Sequence, residues 1–199
     1  MTKEPVTEPA RETPMLRPTG EAWTIEDLLQ LPDDGNRYEI AHGSLLVTPP
    51  PALKHFRSTH RLCEILQRQA PPEIMVSGVG VGVDFRDVPG GKSFYIPDVL
   101  AIPEAAVERD GLAFDPSEVL LVVEVHSPSN AANDRVLKRH DYGAVGIPWY
   151  WMVDPAERLL TVLKHNGKHG YDAVAAIKAG DTWETDDPFP LTLDPADFT

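Results

Sequence analysis

The sequence is poor in cysteine, in long apolar runs and in positive charge. Cys63 is the only cysteine among 199 residues, which excludes an intrachain disulfide and a zinc site built from several cysteines. No apolar run approaches the roughly 20 residues that span a bilayer, so we expect no membrane partner. The formal net charge of -13 counts against non-specific binding of nucleic acid. The single cysteine favours a protein of a reducing compartment, and we expect the cytoplasm.

Strand-like and helix-like patterns alternate along the chain. Residues 118–127 and 148–154 are strongly apolar and predict two buried strands, and the pattern of residues 133–145 predicts a helix between them, with Val136 and Leu137 on one side. Residues 74–85 alternate apolar and small residues, which predicts one strand. This order favours an α/β (α+β) fold in which helices flank a mixed β-sheet core.

The two ends of the chain differ in composition. Residues 1–20 contain four prolines and no hydrophobic pattern, which predicts a disordered leader. Residues 21–199 predict a single domain, because a chain of this length buries one sufficient core. Within it, Thr24 followed three residues later by Asp27 indicates the start of a short helix.

Two carboxylates lie in or beside apolar strands, Asp98 in FYIPDVLAI and Glu124 in LLVVEVHS. A buried carboxylate is costly unless it is paired, hydrogen-bonded or bound to a cation. If the two strands are neighbours, both carboxylates can converge on one Mg²⁺ or Mn²⁺, with the carbonyl of Val125 as a third oxygen ligand. Taken alone, Glu124 is more simply a paired carboxylate at a strand end.

A lysine on the following helix completes a candidate site. Asp134, Lys138 and Tyr142 are spaced four residues apart and share one helical face, which could lie over the strands of Asp98 and Glu124. A bound water that attacks a substrate needs such a charged partner nearby. Lys138 alone is more simply a surface lysine paired with Asp134, a pair worth about 0.2–0.5 kcal/mol.

Basic residues are concentrated in one predicted helix of this acidic chain. The segment Leu53–Gln69 carries four basic residues against the single acid Glu64 and has apolar residues at helical spacing. A basic helical face of this kind predicts contacts with a nucleic-acid backbone. The residues predicted to make these contacts are Lys54, Arg57, Arg61 and Arg68.

Several stretches of the chain resemble a known family. IPDVLAI, LVVEVHSPSNAANDRVLKRHDY and GIPWYWMVDP are similar to the Uma-two type of bacterial endonuclease, a branch of the PD-(D/E)xK, restriction-endonuclease-like superfamily. RYEIAHGSLLVTPPPALKHFRS resembles the first motif of that family, so the resemblance runs from about residue 38 to the C-terminus. It implies that Asp98 and Glu124 hold magnesium and that Lys138 orients or activates the attacking water. It also implies accessory roles for Glu39 and His55, and the helical face that Tyr142 shares with Lys138 makes Tyr142 a further accessory candidate.

Two positions depart from the patterns of these families. His126 stands two residues after Glu124, where the superfamily usually has its lysine, and Lys138 on the next helix fits the Uma-two branch instead. Ser44 follows Gly43, where the family generally has an acidic residue. If that acid tunes metal affinity, activity is weakened or altered here.

The resemblance and the residues together predict a divalent-metal-dependent endonuclease that hydrolyses nucleic acid, with DNA as the favoured substrate. A homodimer would place two basic helices around one duplex, but no interface is evident in the sequence. A further possibility, a metal-dependent hydrolase of a different phosphodiester, would bind metal and ignore DNA. The main alternative is a catalytically weak or inactive member of the fold that serves as a protein-interaction or regulatory module. The net charge and Ser44 support that alternative. Metal binding discriminates between the two, because an interaction module has no reason to bind manganese through Asp98 and Glu124.

Overall fold

The computed structural model describes residues 21–78, 80–86, 91–108, 110–126 and 133–199, and its description of side chains resumes at residue 136. The predicted leader and the side chain of Asp134 therefore lie outside the described part. Helices in these ranges are α1 (Ile25–Leu28), α2 (Leu53–Gln69) and α3 (Asn133–Ala144). Strands are β1 (Arg37–Ala41), β2 (Ser44–Thr48), β3 (Ile74–Ser77), β4 (Gly82–Asp84), β5 (Phe94–Tyr95), β6 (Val99–Pro103), β7 (Ala113–Phe114), β8 (Leu121–Val125), β9 (Trp149–Asp154), β10 (Leu159–His165), β11 (Tyr171–Lys178), β12 (Trp183–Thr185) and β13 (Leu191–Leu193).

The strands form mixed sheets, as the sequence predicts. The largest sheet has the order β11-β10-β9-β8-β6-β3, and β8 and β9 are its parallel pair. Parallel neighbours need a crossover connection, and α3 lies in the segment that joins these two strands. A second sheet has the order β2-β1-β5-β4-β7, and β12 pairs with β13. The predicted strands 118–127 and 148–154 thus form the centre of the larger sheet.

The helix α2 has the bounds that the sequence pattern predicts. Leu62 and Leu66 are completely buried and pack with Val123 and Trp151 of the larger sheet. Burial of this apolar side anchors the helix while its basic side stays exposed. None of the helices in the described ranges is long and apolar enough to cross a membrane.

The prediction of one continuous strand over residues 74–85 is wrong. The chain forms β3, which pairs with β6 in the larger sheet, and then β4, which pairs with β5 in the second sheet. A Cβ on Gly82 would lie only 2.1 Å from the Phe94 ring, so the ring can lie across β4 in this position only because residue 82 is glycine. The small residue at position 82 therefore reflects close packing within the second sheet rather than one long strand.

The buried side of helix α3 carries charged as well as aromatic residues. Val136 is 72% exposed, whereas Lys138, Asp141 and Tyr142 are buried. Leu137 is partly buried and packs with Tyr142 against an apolar cluster, so Val136, unlike Leu137, points away from the core. The same buried side also makes hydrogen bonds and ion pairs, and these define the candidate site.

Candidate active site

Glu124 on β8 finds its partners on α3. Its Oε1 atom accepts a hydrogen bond from Lys138 Nζ at 3.2 Å and another from the Tyr142 hydroxyl at 3.0 Å. Lys138 and Tyr142 are four residues apart, so the helix presents both to the strand in one place. The interpretation of Lys138 as a surface lysine is wrong, because the residue is only 4% exposed.

Glu39 on β1 is the second carboxylate that contacts Lys138. Its Oε1 atom lies 2.8 Å from Lys138 Nζ and accepts a hydrogen bond of 2.7 Å from the backbone N–H of Ile96. Glu39 is 1% exposed. The ammonium of Lys138 thus bridges carboxylates from two different sheets, Glu39 from the second sheet and Glu124 from the larger one.

Asp98 lies directly before β6, and the register of β6 and β8 extends to place it opposite Glu124. Its backbone N–H donates to the Val123 carbonyl at 3.1 Å. Its Oδ1 accepts from Arg37 at 2.8 Å, and its Oδ2 accepts from the Val125 N–H at 2.7 Å and lies 3.1 Å from His55 Nε2. Pro97 has no N–H for the sheet ladder, which fits the break between β5 and β6.

The two facing carboxylates have pKa values displaced in opposite directions. Burial would raise the pKa of Asp98, but the hydrogen bond from His55 and the charge of Arg37 outweigh it and lower this pKa to about 2. Burial raises the pKa of Glu124 to about 7 against the opposing charge of Lys138, and the charges of Asp98 and Glu39 raise it further. Such paired displacement of pKa values is common where buried acids act in chemistry.

Lys138 and Tyr142 remain protonated in this environment. Burial disfavours the ammonium of Lys138, but the charges of Glu124 and Glu39 outweigh burial and raise its pKa. Burial and the charge of Glu124 raise the pKa of Tyr142 well above its ordinary value. Both groups therefore act as hydrogen-bond donors to Glu124.

The donor set of this site fits a divalent cation in its chemistry. Three acids, Glu39, Asp98 and Glu124, stand beside the two cations Arg37 and Lys138, so acids outnumber these cations by one. Carboxylate oxygens are the ligands that Mg²⁺ and Mn²⁺ prefer. Within the described ranges, however, no three His, Cys, Asp or Glu side chains are grouped so as to hold a metal by themselves. Asp98 and Glu124 could therefore bind a divalent cation only together with backbone oxygen atoms or water as further ligands.

The contacts of Asp98 define what a cation would have to replace. Both oxygens of Asp98 already accept hydrogen bonds, from Arg37 on one side and from His55 and Val125 on the other. The structure shows the N–H of Val125 in contact with Asp98, while ligation by the Val125 carbonyl stays a prediction. A cation on Asp98 would compete with Arg37 and His55 for its lone pairs.

Arg37 is the site residue that sequence reasoning missed. It lies two residues before Glu39, and alternation along β1 directs both side chains to the same side. Its pKa is raised because the charges of Glu39 and Asp98 outweigh the opposing effect of burial. The spacing of Arg37 and Glu39 in RYEIA was the signal that could have identified it.

The two departures from the family pattern occupy different places. Ser44 is exposed at the start of β2 opposite Ala41, whereas the acid of this hairpin that reaches Lys138 is Glu39. His126 follows β8, and its Nδ1 lies 3.9 Å from Asp154 Oδ2. Position 126 is thus directed to a different carboxylate, and the lysine that reaches Glu124 comes from α3.

The four basic residues of α2 are all exposed. They lie three, four and seven residues apart, which places them along one side of the helix. Contact of this side with nucleic acid stays a prediction.

A cavity of about 230 Å³ adjoins Asp98, and we call it the Asp98 pocket. It lies between the N-terminal half of α2, the Pro49–Pro51 segment and the residues around Gly78. A larger cavity of about 670 Å³ lies between α3 and the strands β9 to β11, and Glu39, Asp98, Glu124 and Lys138 are not among its lining residues. Of these two cavities, the Asp98 pocket is the one that borders the candidate site.

The fold is that of a known crystal structure. That structure, described as "a putative nuclease belonging to DUF820" from Anabaena variabilis ATCC 29413, matches with a TM-score of 0.65 and 18% sequence identity, over 88% of this chain and 97% of the other. At this identity the match shows the fold alone, and the fold is the one expected from the resemblance to restriction-type nucleases. The sequence model described as "Uma2: Putative restriction endonuclease" matches residues 25–196, so the chain belongs to the Uma2 family. No curated protein matches the chain.

Proposed function

We propose that this protein is a divalent-metal-dependent endonuclease that hydrolyses phosphodiester bonds, with DNA as its substrate. Membership of the Uma2 family and the fold of the Anabaena variabilis protein support a nuclease. The proposal of metal dependence rests on the residues of the site itself.

The observation that carries the proposal is the buried charge cluster around Lys138. Its Nζ atom lies 2.8 Å from Glu39 and 3.2 Å from Glu124, and Asp98 stands opposite Glu124 across the β6–β8 ladder. Buried ion pairs contribute little to stability compared with apolar residues of the same size. A cluster of three acids and two cations inside a small domain is therefore better explained by function than by folding.

Asp98 and Glu124 are the residues that would hold Mg²⁺ or Mn²⁺, with the Val125 carbonyl as a further oxygen. The ion would supply a Lewis acid that lowers the pKa of water and neutralises charge on the phosphoryl group. Arg37 and His55, which contact Asp98 in this structure, can donate to phosphate oxygens when Asp98 has another partner.

Lys138 acts as a fixed cationic donor. Because its pKa is raised, it carries its proton and cannot accept one from water. Glu39 and Glu124 hold its Nζ in one position, so the ammonium orients the attacking water and stabilises negative charge that develops nearby. Tyr142 fixes the Glu124 carboxylate through its hydroxyl.

The test is cleavage of plasmid DNA and single-stranded DNA in manganese and in magnesium. The wild-type protein is compared with Glu124→Gln and Lys138→Met, which keep the approximate side-chain size. We expect metal-dependent cutting that falls at least about 100-fold in both variants, as is typical when a charge-stabilising group is removed from an active site. Lys178→Met is the matched control, because Lys178 is exposed at the end of β11.

Circular dichroism and manganese titration accompany the cleavage assay. Folded protein that neither cuts DNA nor binds manganese would contradict the proposal and favour an interaction module. Manganese binding lost in Glu124→Gln without any DNA cleavage would retain the metal site and reject DNA as the substrate. Equal cutting by wild type and Lys138→Met would reject the role of Lys138.

A further inference from the structure

The Asp98 pocket contains polar atoms that the hydrogen bonds of the site do not use. Arg37 Nε, His55 Nδ1 and Thr59 Oγ1 are each shielded from solvent and have no hydrogen-bond partner among the described residues. All three residues line this pocket. Buried polar atoms of this kind are costly, and three in one small cavity indicate a polar ligand.

The three atoms differ in what they offer a ligand. Arg37 Nε is a donor, and the Thr59 hydroxyl can donate or accept. His55 Nε2 lies 3.1 Å from Asp98 Oδ2, so Nδ1 is the ring nitrogen left for a ligand, and it accepts or donates according to the tautomer. A fixed donor beside groups that can also accept fits a nucleotide unit, which combines phosphate oxygens with hydroxyl or amino groups.

An aromatic ring stands at the mouth of the same pocket. Phe56 lines the pocket and is nevertheless 58% exposed. Its ring is parallel to that of His60, with an angle of 2° and 5.9 Å between centroids. An exposed aromatic ring beside polar groups offers a surface on which a nucleic-acid base can stack.

The size of the pocket limits what can enter it. Its volume of about 230 Å³ is below the range of about 300–1,000 Å³ typical for drug-sized ligands, so it admits a single nucleotide unit at most. A base inside a duplex is stacked on both faces and paired at its edge. Such a base must leave the stack before it can meet Phe56.

We propose that the Asp98 pocket binds one unpaired nucleotide beside the scissile phosphodiester. Its phosphate meets Arg37 and Thr59, and its base stacks on Phe56. The substrate class is therefore a single strand or a locally unpaired strand rather than intact duplex. This inference rests on the proposed nuclease function, because it specifies the substrate of the same site.

Binding without cleavage tests the inference directly. A short fluorescent oligonucleotide is titrated with the full chain in EDTA, as a single strand, as a duplex, and as a single strand with abasic positions. We expect the wild type to bind the single strand about tenfold more tightly than the duplex, and Phe56→Ala to lose about tenfold for the single strand, in line with stacking on one aromatic ring. Thr59→Val should lose about threefold, which corresponds to one neutral hydrogen bond.

Leu53→Ala is the matched control for Phe56→Ala. Leu53 is 86% exposed on the first turn of the same helix and does not line the pocket. The control should bind like wild type, and the abasic strand should bind wild type and Phe56→Ala equally. Equal affinity for duplex and single strand, or equal behaviour of Phe56→Ala and Leu53→Ala, would overturn the inference.

The two proposals fail in different ways. Lys138-dependent cutting together with a preference for intact duplex would keep the nuclease and reject the unpaired nucleotide. Phe56-dependent binding of single strands without cutting of any substrate would keep the nucleotide pocket and reject the nuclease.

Discussion

The two faces of the larger sheet are built from neighbouring residues and have opposite character. On the face covered by α2, Val123 and Trp151 pack with Leu62 in a wholly apolar core. On the face covered by α3, the next residue of β8 is Glu124, which meets Lys138. One strand thus supplies both a hydrophobic core and a charged site, because its side chains alternate between faces.

Tyrosines make the charged face possible. Tyr95 and Tyr142 contact edge to face with ring centroids 5.7 Å apart, and Tyr150 packs on Tyr142 at 5.6 Å. The hydroxyl of Tyr95 donates to Asp141 at 2.7 Å, and that of Tyr142 donates to Glu124 at 3.0 Å. Each ring buries apolar area while its hydroxyl donates to a carboxylate. On the α3 face, hydrogen bonds from protein groups therefore take the place of hydrogen bonds from water.

The largest effect on stability is expected on the α2 face. Trp151 is completely buried, and Trp151→Ala should lower the free energy of unfolding by about 3–5 kcal/mol, because it removes a large apolar side chain and leaves a cavity. Urea denaturation followed by circular dichroism measures this. Manganese affinity of the folded variant should equal that of wild type, and a changed affinity would show that the two faces are coupled.

A smaller loss of stability is expected from Glu39→Gln on the α3 face. The change removes one of the two carboxylates on Lys138 and should cost about 1.5–3 kcal/mol, the range for hydrogen bonds to charged groups. It should also slow DNA cleavage, because Lys138 loses part of its support. Glu184→Gln, an exposed acid on β12, is the control and should match wild type in urea denaturation and in cleavage. Unchanged cleavage by Glu39→Gln would restrict Glu39 to folding.

Removal of one hydroxyl from the α3 face should have a modest effect. Tyr142→Phe loses the hydrogen bond to Glu124 and should lower stability by about 1 kcal/mol. Tyr38→Phe is the matched control, because its hydroxyl donates to Asp34 at the surface. If both variants melt at the same temperature in calorimetry, the buried hydroxyl does not stabilise the charged face.

The smallest effect on folding is expected on the exposed side of α2. Arg61→Gln should leave the free energy of unfolding unchanged within about 0.5 kcal/mol, because surface substitutions rarely exceed this. If Arg61 contacts a phosphate, the slope of log affinity against log salt should fall by about one. Oligonucleotide titrations over a range of salt concentrations measure the slope. An unchanged slope would remove Arg61 from the predicted interface.

Local signals predicted the elements well where a segment specifies its own structure. The helix start at Thr24 is confirmed, and Asp27 accepts a hydrogen bond from the Thr24 N–H at 2.7 Å. The bounds of α2 are confirmed as well. The prediction of one strand over residues 74–85 was wrong because the sheet that a strand joins depends on distant partners. The pairing of β3 with β6 and of β4 with β5 leaves no local signal in the sequence.

The candidate site was only partly predictable for the same reason. Asp98 and Glu124 stood out as charges in or beside apolar strands and Lys138 by its position on the following helix, and the structure brings Glu124 and Lys138 into contact. Arg37 and Thr59 are ordinary polar residues of a strand and a helix. Their place beside Asp98 arises from the packing of β1 and α2 around one pocket.

The sequence by itself determined the two central strands β8 and β9, the helix α2 and the types of charge available, because hydrophobic period acts over a few residues. Only the tertiary structure decided that α3 turns Lys138 inward and Val136 outward. It did so because Glu39 and Glu124, 85 residues apart in the chain, must share one buried cation to offset the cost of their own burial.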